Sequence, residues 1–356
     1  MNKNDKDEKS VPDVTDPGTA LEGRVTINDI ARLANVSKKT VSRIINRSPL
    51  VSAETRARVE KIIAEHDFRP DPQARALAFR KSYLIGMVYD NPSPQYVVNM
   101  QRGILDALAP TDYQLVLQPV DRSNTDYRDE VMRFVERHRP AGVIMPPSVS
   151  EDDKLSEMLR NASCDYVRIT SVDLDEPYRM IRTEDAEGAA QAARHLATLG
   201  HKRIAHVHGP KSFRSSHERL FGFRTGLAEF GIELEPALTL EAGYTFDSGV
   251  QAADNLLSRS NRPTAIFAGN DEMAIGVYTS ARKAGLEIPD ELSIVGFDDT
   301  PMAARIWPQL TTVKLPIRDM GREAANRLLD QLNGHNTKFT KEFVPEIVVR
   351  QSTARA

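Results

Sequence analysis

From residue 84 onward the sequence alternates short apolar runs of strand length with stretches of helical periodicity, and no other feature narrows the possible folds as much. The runs are LIGMVY (84–89), QLVLQP (114–119), AGVIM (141–145) and YVRIT (166–170), then RIAHVHG (203–209), ALTLEAG (237–243), TAIFAGN (264–270) and LSIVGFDD (292–299). Helix-length segments such as 217–230 and 271–284 fall between them. Strands separated by helical crossovers pair in parallel, because each crossover carries the chain back to the same end of the sheet. Two such series predict an α/β body over residues 82–356 made of two lobes, each a doubly wound parallel sheet. A chain of 356 residues exceeds the usual single core, which agrees with this division. None of the runs approaches the roughly 20 apolar residues of a membrane span. The single cysteine, Cys164, can form neither an intrachain disulfide nor a cysteine-based metal cluster.

Charge is distributed unevenly. The net charge of −3 conceals a block at 24–81 with 13 Lys/Arg against 6 Asp/Glu, attached to a body with 31 basic and 38 acidic residues. A basic module on an acidic body suggests a polyanionic partner for the module. The first 23 residues carry 3 lysines against 6 acidic groups, together with Pro12, Pro17 and Gly18, and almost nothing apolar. They read as a disordered tail without the apolar segment of a secretory signal, which places the protein in the cytoplasm.

The basic module (24–70) is helical. Ile27, Ile30, Ala31 and Ala34 recur at three- and four-residue spacing behind Thr26 as a cap, with Asp29 in the first turn. Ser37 caps a second helix whose Val41, Ile44 and Ile45 face inward and whose Lys38, Lys39 and Arg43 face outward. Ser52 caps a third, with Val59, Ile62 and Ile63 on one stripe, ending near Asp67 before Pro70. Two helices joined by a tight turn, the second with basic and hydroxyl residues near its start, fit the helix-turn-helix geometry for entering the major groove. Lys38, Lys39 and Arg43 can donate to guanine O6 and N7, and Thr26, Thr40, Ser42 and Asn46 can fix the docking on phosphates, with Ser37 a further DNA-binding candidate. The helical pattern alone leaves a plain solvated basic face as the other reading.

Residues 25–78 closely resemble the headpiece of the lactose-repressor/galactose-repressor (LacI/GalR) family: Val36 and Ser37, two variable residues, then Thr40, Val41, Ser42 and Arg43 reproduce its Val-Ser-x-x-Thr-Val-Ser-Arg pattern. The resemblance implies that Lys38, Lys39 and Arg43 read bases. The segment 71–81 begins with an Asp cap and Pro72 and forms at most a short helix that needs a partner or DNA to persist. By resemblance it is a hinge helix whose Leu77 wedges between base pairs in the minor groove, the alternative being an ordinary linker. Asp71 stands where many relatives have Asn, which weakens a phosphate contact there.

The body resembles the same family's effector domain, related to periplasmic sugar-binding proteins, so the likeness covers about residues 25–350. In open parallel sheets ligands bind beyond the carboxyl ends of strands. Asn270 and Asp271 follow one run, Asp298 and Asp299 another, and the loop after HVHGP leads to Ser216, Arg219, Gly222 and Phe223. The family's Ser-x-x-Arg-x-x-Gly pattern is intact, implying that Arg219 bonds ligand hydroxyls, that Asn270, Asp271 and Asp298 accept from them, and that an aromatic residue covers the ring. Tyr244 and Tyr96 are the aromatic candidates. A guanidinium fork and carboxylates suit adjacent hydroxyls, and an aromatic face suits the C–H side of a sugar.

No enzyme, cofactor or metal is expected. His206 and His208 alternate in a strand, no nucleophile elbow or phosphate loop appears, and Asp298 and Asp299 should point apart. The expectation is a homodimeric transcription regulator, a repressor, on a palindromic double-stranded operator, controlled by a sugar or glycoside effector. The final QSTARA has no heptad repeat, which favours a dimer over a tetramer. A purine or other non-sugar effector is the alternative within the family. A sugar-binding transport component is the rival outside it, disfavoured by residues 25–78.

Overall fold

The computed structural model describes residues 25–45, 50–68 and 82–356. The chain divides into two compact units between residues 81 and 82. In the first, α1 (Ile27–Leu33), α2 (Lys38–Ile45) and α3 (Ala53–Glu65) enclose Ile30, Ala34, Val41, Ile44, Val59 and Phe68. Thr26 and Asp29 form a reciprocal capping box at the start of α1, satisfying backbone donors the helix cannot. Asn35, at φ 50°, makes the tight turn into α2. The third helix stops at Glu65, and Asp67 at φ 42° turns the chain away before Phe68 enters the core.

The second unit holds two six-stranded sheets. Its strands are β1 (Leu84–Tyr89), β2 (Gln114–Pro119), β3 (Gly142–Met145), β4 (Asp165–Thr170), β5 (Met180–Thr183), β6 (Ile204–His208), β7 (Thr239–Glu241), β8 (Ala265–Ala268), β9 (Ser293–Phe297), β10 (Thr311–Lys314), β11 (Lys341–Phe343) and β12 (Glu346–Val348). The N-terminal lobe orders them β11-β5-β4-β3-β1-β2 and the C-terminal lobe β12-β10-β9-β8-β6-β7. Every described pairing is parallel except that of β12 with β10. Central strands β3, β8 and β9 are buried throughout, which is why they read as unbroken apolar runs.

The connecting helices are α4 (Pro94–Leu108), α5 (Tyr127–His138) and α6 (Asp153–Asn161) in the N-terminal lobe, and α7 (Asp185–Thr198), α8 (Arg214–Ala228), α9 (Phe246–Leu257) and α10 (Asp271–Lys283) in the C-terminal lobe. Helix α11 (Ile317–Leu332) returns to pack on α4 and the N-terminal sheet. The chain therefore crosses between lobes three times: after β5, after β10, and between β11 and β12. Two strands, β5 (MIRT) and β10 (TTVK), escape a search for apolar runs because they are four residues long and carry buried threonines or an arginine. The last two strands, β11 and β12, lie only three residues apart in sequence yet belong to different lobes. Gly222 lets α8 press onto α7, since a Cβ there would sit 1.9 Å from the Ala186 carbonyl oxygen.

Candidate functional site

Two surfaces carry the residues singled out by the sequence. On the first unit, Lys38 and Lys39 are exposed at the start of α2, with Ser42 and Arg43 one turn on and half-buried. The i,i+4 spacing sets Ser42 above Lys38 and Arg43 above Lys39. Ser37 caps α2 by accepting from the Thr40 N–H at 3.1 Å, and the two hydroxyls lie 2.9 Å apart. Thr26 is exposed, its hydroxyl donating to Asp29 at 2.6 Å. Asn46, Leu77 and the hinge segment 71–81 lie outside the described residues, as does the N-terminal tail.

On the second unit, the ends of strands from both lobes converge on a cleft lined by Asn91, Ser93, Tyr96, Thr183, Asp185, Phe213, Ser215, Arg219, Tyr244, Asn270 and Asp298, with Pro147, Leu315 and Met320. Arg219 lies at its base, 6% exposed. Its Nε donates to Asp185 at 2.7 Å, one terminal nitrogen donates to the Gly269 carbonyl at 2.5 Å, and the guanidinium covers the Phe297 ring at 3.6 Å. Asp185, the first residue of α7, also accepts from the Thr183 hydroxyl. A buried cation and anion thus hold each other where the chain first passes between lobes. Ser216, of the Ser-x-x-Arg-x-x-Gly pattern, donates to the Gly209 carbonyl at 2.7 Å and so anchors the start of α8.

Asn270 caps α10 with its side-chain oxygen on the Met273 N–H at 2.9 Å and donates to the Tyr244 carbonyl at 3.0 Å, joining two cleft loops. Asp298 follows β9 at φ 110° and faces the cavity, and burial pushes its carboxyl up to about 8. Asp299 points elsewhere and pairs with Arg350 at 2.6 Å. The sequence grouped Asp271 with the effector residues, and here the structure differs. Asp271 is fully buried away from the cavity, accepting from the Thr312 hydroxyl and the Thr300 N–H, both at 2.6 Å, so it fastens β10 and the β9 exit together. Adjacent residues at a helix start diverge: Asn270 is still extended, at φ −155°, whereas Asp271 is already helical.

Both aromatic candidates reach the cleft. The Tyr244 ring stands edge-on to Phe213 at 5.4 Å and near the Arg219 guanidinium at 5.9 Å. It needs Gly209 beneath it, where a Cβ would come within 2.0 Å of the ring. Tyr96 is buried on α4 with its hydroxyl unpartnered. His206 stacks on Phe267 at 4.7 Å, and burial holds it neutral, down to about 3. No group of three or more His, Cys, Asp or Glu among the described residues could hold a metal ion.

Residues not foreseen include Asp185, Thr183, Asn91, Ser93, Phe213 and Ser215, and a pair at the mouth. Glu151, in the short turn Val149–Glu151, accepts from the Arg214 N–H across the cleft at 2.9 Å. Arg122 donates to the Ser148 carbonyl at 2.9 Å and across to the Ser212 carbonyl at 3.3 Å. The turn is held from behind by buried Arg168, which donates to the Ser150 carbonyl at 2.6 Å. Burial pushes Glu151 up to about 7, against the pull of the Arg214 N–H. With the mouth clasped, about 30 Å³ remains inside, room for roughly two water molecules. A sugar ring therefore enters only when the lobes part or the aromatic side chains move.

Residues 26–71 match the family described as "Bacterial regulatory proteins, lacI family", and 193–353 match "Periplasmic binding protein-like domain". Catabolite control protein A of Priestia megaterium is 33% identical over 332 residues, 92% of this chain and 99% of that protein. Among solved structures, the transcriptional regulator CelR–cellobiose complex aligns with TM-score 0.70 at 29% identity, covering 92% of this chain and 100% of that one. The lac repressor dimer bound to operator and the anti-inducer ONPF aligns with TM-score 0.79 at 29% identity, covering 93% and 100%. No helix among the described residues is long and apolar enough to cross a membrane.

Proposed function

The chain belongs to the LacI family of bacterial regulatory proteins, and from that premise we propose that it represses transcription from a palindromic operator under the control of a sugar or glycoside held between its lobes. It is a DNA-binding transcription regulator, not an enzyme. Lys38, Lys39 and Arg43 are assigned to base edges and Thr26, Ser37, Thr40, Ser42 and Asn46 to phosphates, with Leu77 as the minor-groove wedge. Residues 24–70 are assigned to DNA, 71–81 to the hinge, and 82–356 to the effector and to pairing of two copies, in the cytoplasm where the operator is. Two recognition helices related by a dimer axis require half-sites about one helical turn apart.

The observation that carries the effector reading is the buried Arg219–Asp185 pair at the base of a cleft whose other walls are hydroxyl, amide and aromatic groups. A guanidinium fork bonds adjacent hydroxyls, Asn270 and Asp298 stand where further hydroxyls would lie, and Tyr244 offers a ring face. The effector acts by binding the clasped and parted arrangements with unequal affinity, since equal affinity shifts nothing. The test is thermal unfolding of the full chain against sugars, glycosides and purines at millimolar concentration. One sugar class raises Tm by a few degrees. Arg219→Lys, which keeps the charge and loses the fork, abolishes that shift. A shift confined to purines, or one untouched in the variant, contradicts the reading.

A further inference from the structure

The charges inside the cleft narrow what it admits, an argument that rests on the effector reading above. Besides the phenols of Tyr96 and Tyr244, three ionisable side chains line the cavity: Asp185, Arg219 and Asp298. The first two neutralise each other at 2.7 Å, and the guanidinium also donates to the Gly269 carbonyl and covers the Phe297 ring. Asp298 has no such counterpart. It is 8% exposed, and no described residue donates a hydrogen bond to its carboxyl. The groups acting on it are Arg219, which favours its charge, and Asp271, Asp185 and Glu272, which oppose it, all outweighed by burial. Arg122 at the mouth is bonded to the Ser148 and Ser212 carbonyls and sits beside Glu151. A phosphate or carboxylate entering the cavity meets no cation without a carboxylate already beside it, and an acid it cannot bond while that acid is ionised.

The other polar walls are neutral. Asn91, Ser93, Thr183, Ser215 and Asn270 offer hydroxyls and amides that both donate and accept. We propose that the effector is a polyhydroxylated compound carrying no negative charge, and that Asp298 is the residue that rejects phosphorylated and acidic sugars. An uncharged hydroxyl can bond Asp298 in either protonation state, donating to the carboxylate or accepting from the carboxylic acid, whereas an anion can only accept from the acid and is repelled once Asp298 ionises.

The test pairs each neutral mono- and disaccharide with its phosphate and its uronic or aldonic acid, and hypoxanthine with its nucleotide, reading Tm of the full chain at about pH 9, where Asp298 is ionised. The neutral member stabilises, and its acidic partner binds roughly 10-fold or more weakly. Asp298→Asn narrows that gap. An acidic partner that stabilises as well as the neutral one, or better, overturns the proposal and leaves the sugar reading standing. A response to hypoxanthine alone, with its nucleotide rejected, overturns the sugar in the wording and keeps the charge rule.

A second readout needs no ligand. A carboxyl whose proton is held more tightly in the folded state loses stability as pH rises from its unfolded value near 4 to its folded value of about 8. The wild type therefore loses ground to Asp298→Asn over that interval and keeps a constant deficit above it. Should that variant fold poorly, Asp298→Ser serves the same comparison. Parallel pH profiles of wild type and variant overturn the proposal, whatever the panel shows.

Discussion

The two lobes order their six strands alike, β11-β5-β4-β3-β1-β2 against β12-β10-β9-β8-β6-β7, yet they bring different chemistry to the cleft between them. The C-terminal lobe supplies Arg219, Tyr244, Asn270 and Asp298, the groups suited to grip a hydroxylated ligand. The N-terminal lobe supplies Asn91, Ser93 and Tyr96 as a lining, and Glu151 and Arg122 as a clasp at the mouth. Asp185 stands on the first crossing and belongs to neither side alone. The same sheet plan can therefore hold a ligand or close over it, depending on the few residues at strand ends. On the proposed reading one lobe grips and the other shuts.

The largest test of that division is Arg219→Ala. Removing the cation leaves Asp185 buried and unpaired, so the variant should lose roughly 3–5 kcal/mol of stability and all response to effector, measured by denaturant unfolding and calorimetric titration. A loss within about 0.5 kcal/mol, the range of an ordinary surface change, would break the comparison at its strongest point. Next come two neighbours that the structure separates. Asn270→Ala should weaken effector binding and cost about 1 kcal/mol as a lost cap. Asp271→Ala should cost about 1–3 kcal/mol with effector affinity unchanged, because its carboxyl serves Thr312 and Thr300 only. Equal effects on binding would erase the distinction.

The smallest effect belongs to the clasp. Glu151 holds its proton up to about 7 when buried across the cleft and near 4.5 when the lobes part and expose it. The clasped arrangement thus gains on the parted one at acid pH and loses that gain as pH rises through about 7. Small-angle scattering of the wild type should report a more compact body at pH 5.5 than at pH 8, and Glu151→Gln should flatten the change. A wild type whose dimensions ignore pH would remove the N-terminal lobe's closing role and leave the C-terminal grip untouched.

How much of this was legible beforehand follows from local geometry. Arg219 stood out in a spaced pattern whose serine and glycine prove structural: Ser216 ties α8 to Gly209, and Gly222 lets that helix touch α7. Asn270 and Asp298 were found because they follow strongly apolar strands. Asp185 was missed because its strand, MIRT, is too short and mixed to be seen, although the same rule of looking past a strand end applies to it. Asp271 was placed in the cleft because sequence adjacency does not reveal that the backbone turns helical between it and Asn270. Glu151 had no signal: its role depends on a turn held by Arg168, 17 residues later in the chain, and on the opposite lobe.

If the proposed function holds, occupancy of the cleft changes the affinity of the basic headpiece for its operator. The direct measurement is fluorescence anisotropy of a palindromic duplex, selected from a random library with the full chain, titrated with and without the sugar found by thermal unfolding. Saturating sugar should change operator affinity by at least about 5-fold in the wild type and leave it unchanged in Arg219→Lys. Operator affinity indifferent to saturating sugar, or a response that survives in Arg219→Lys, would contradict the proposed function.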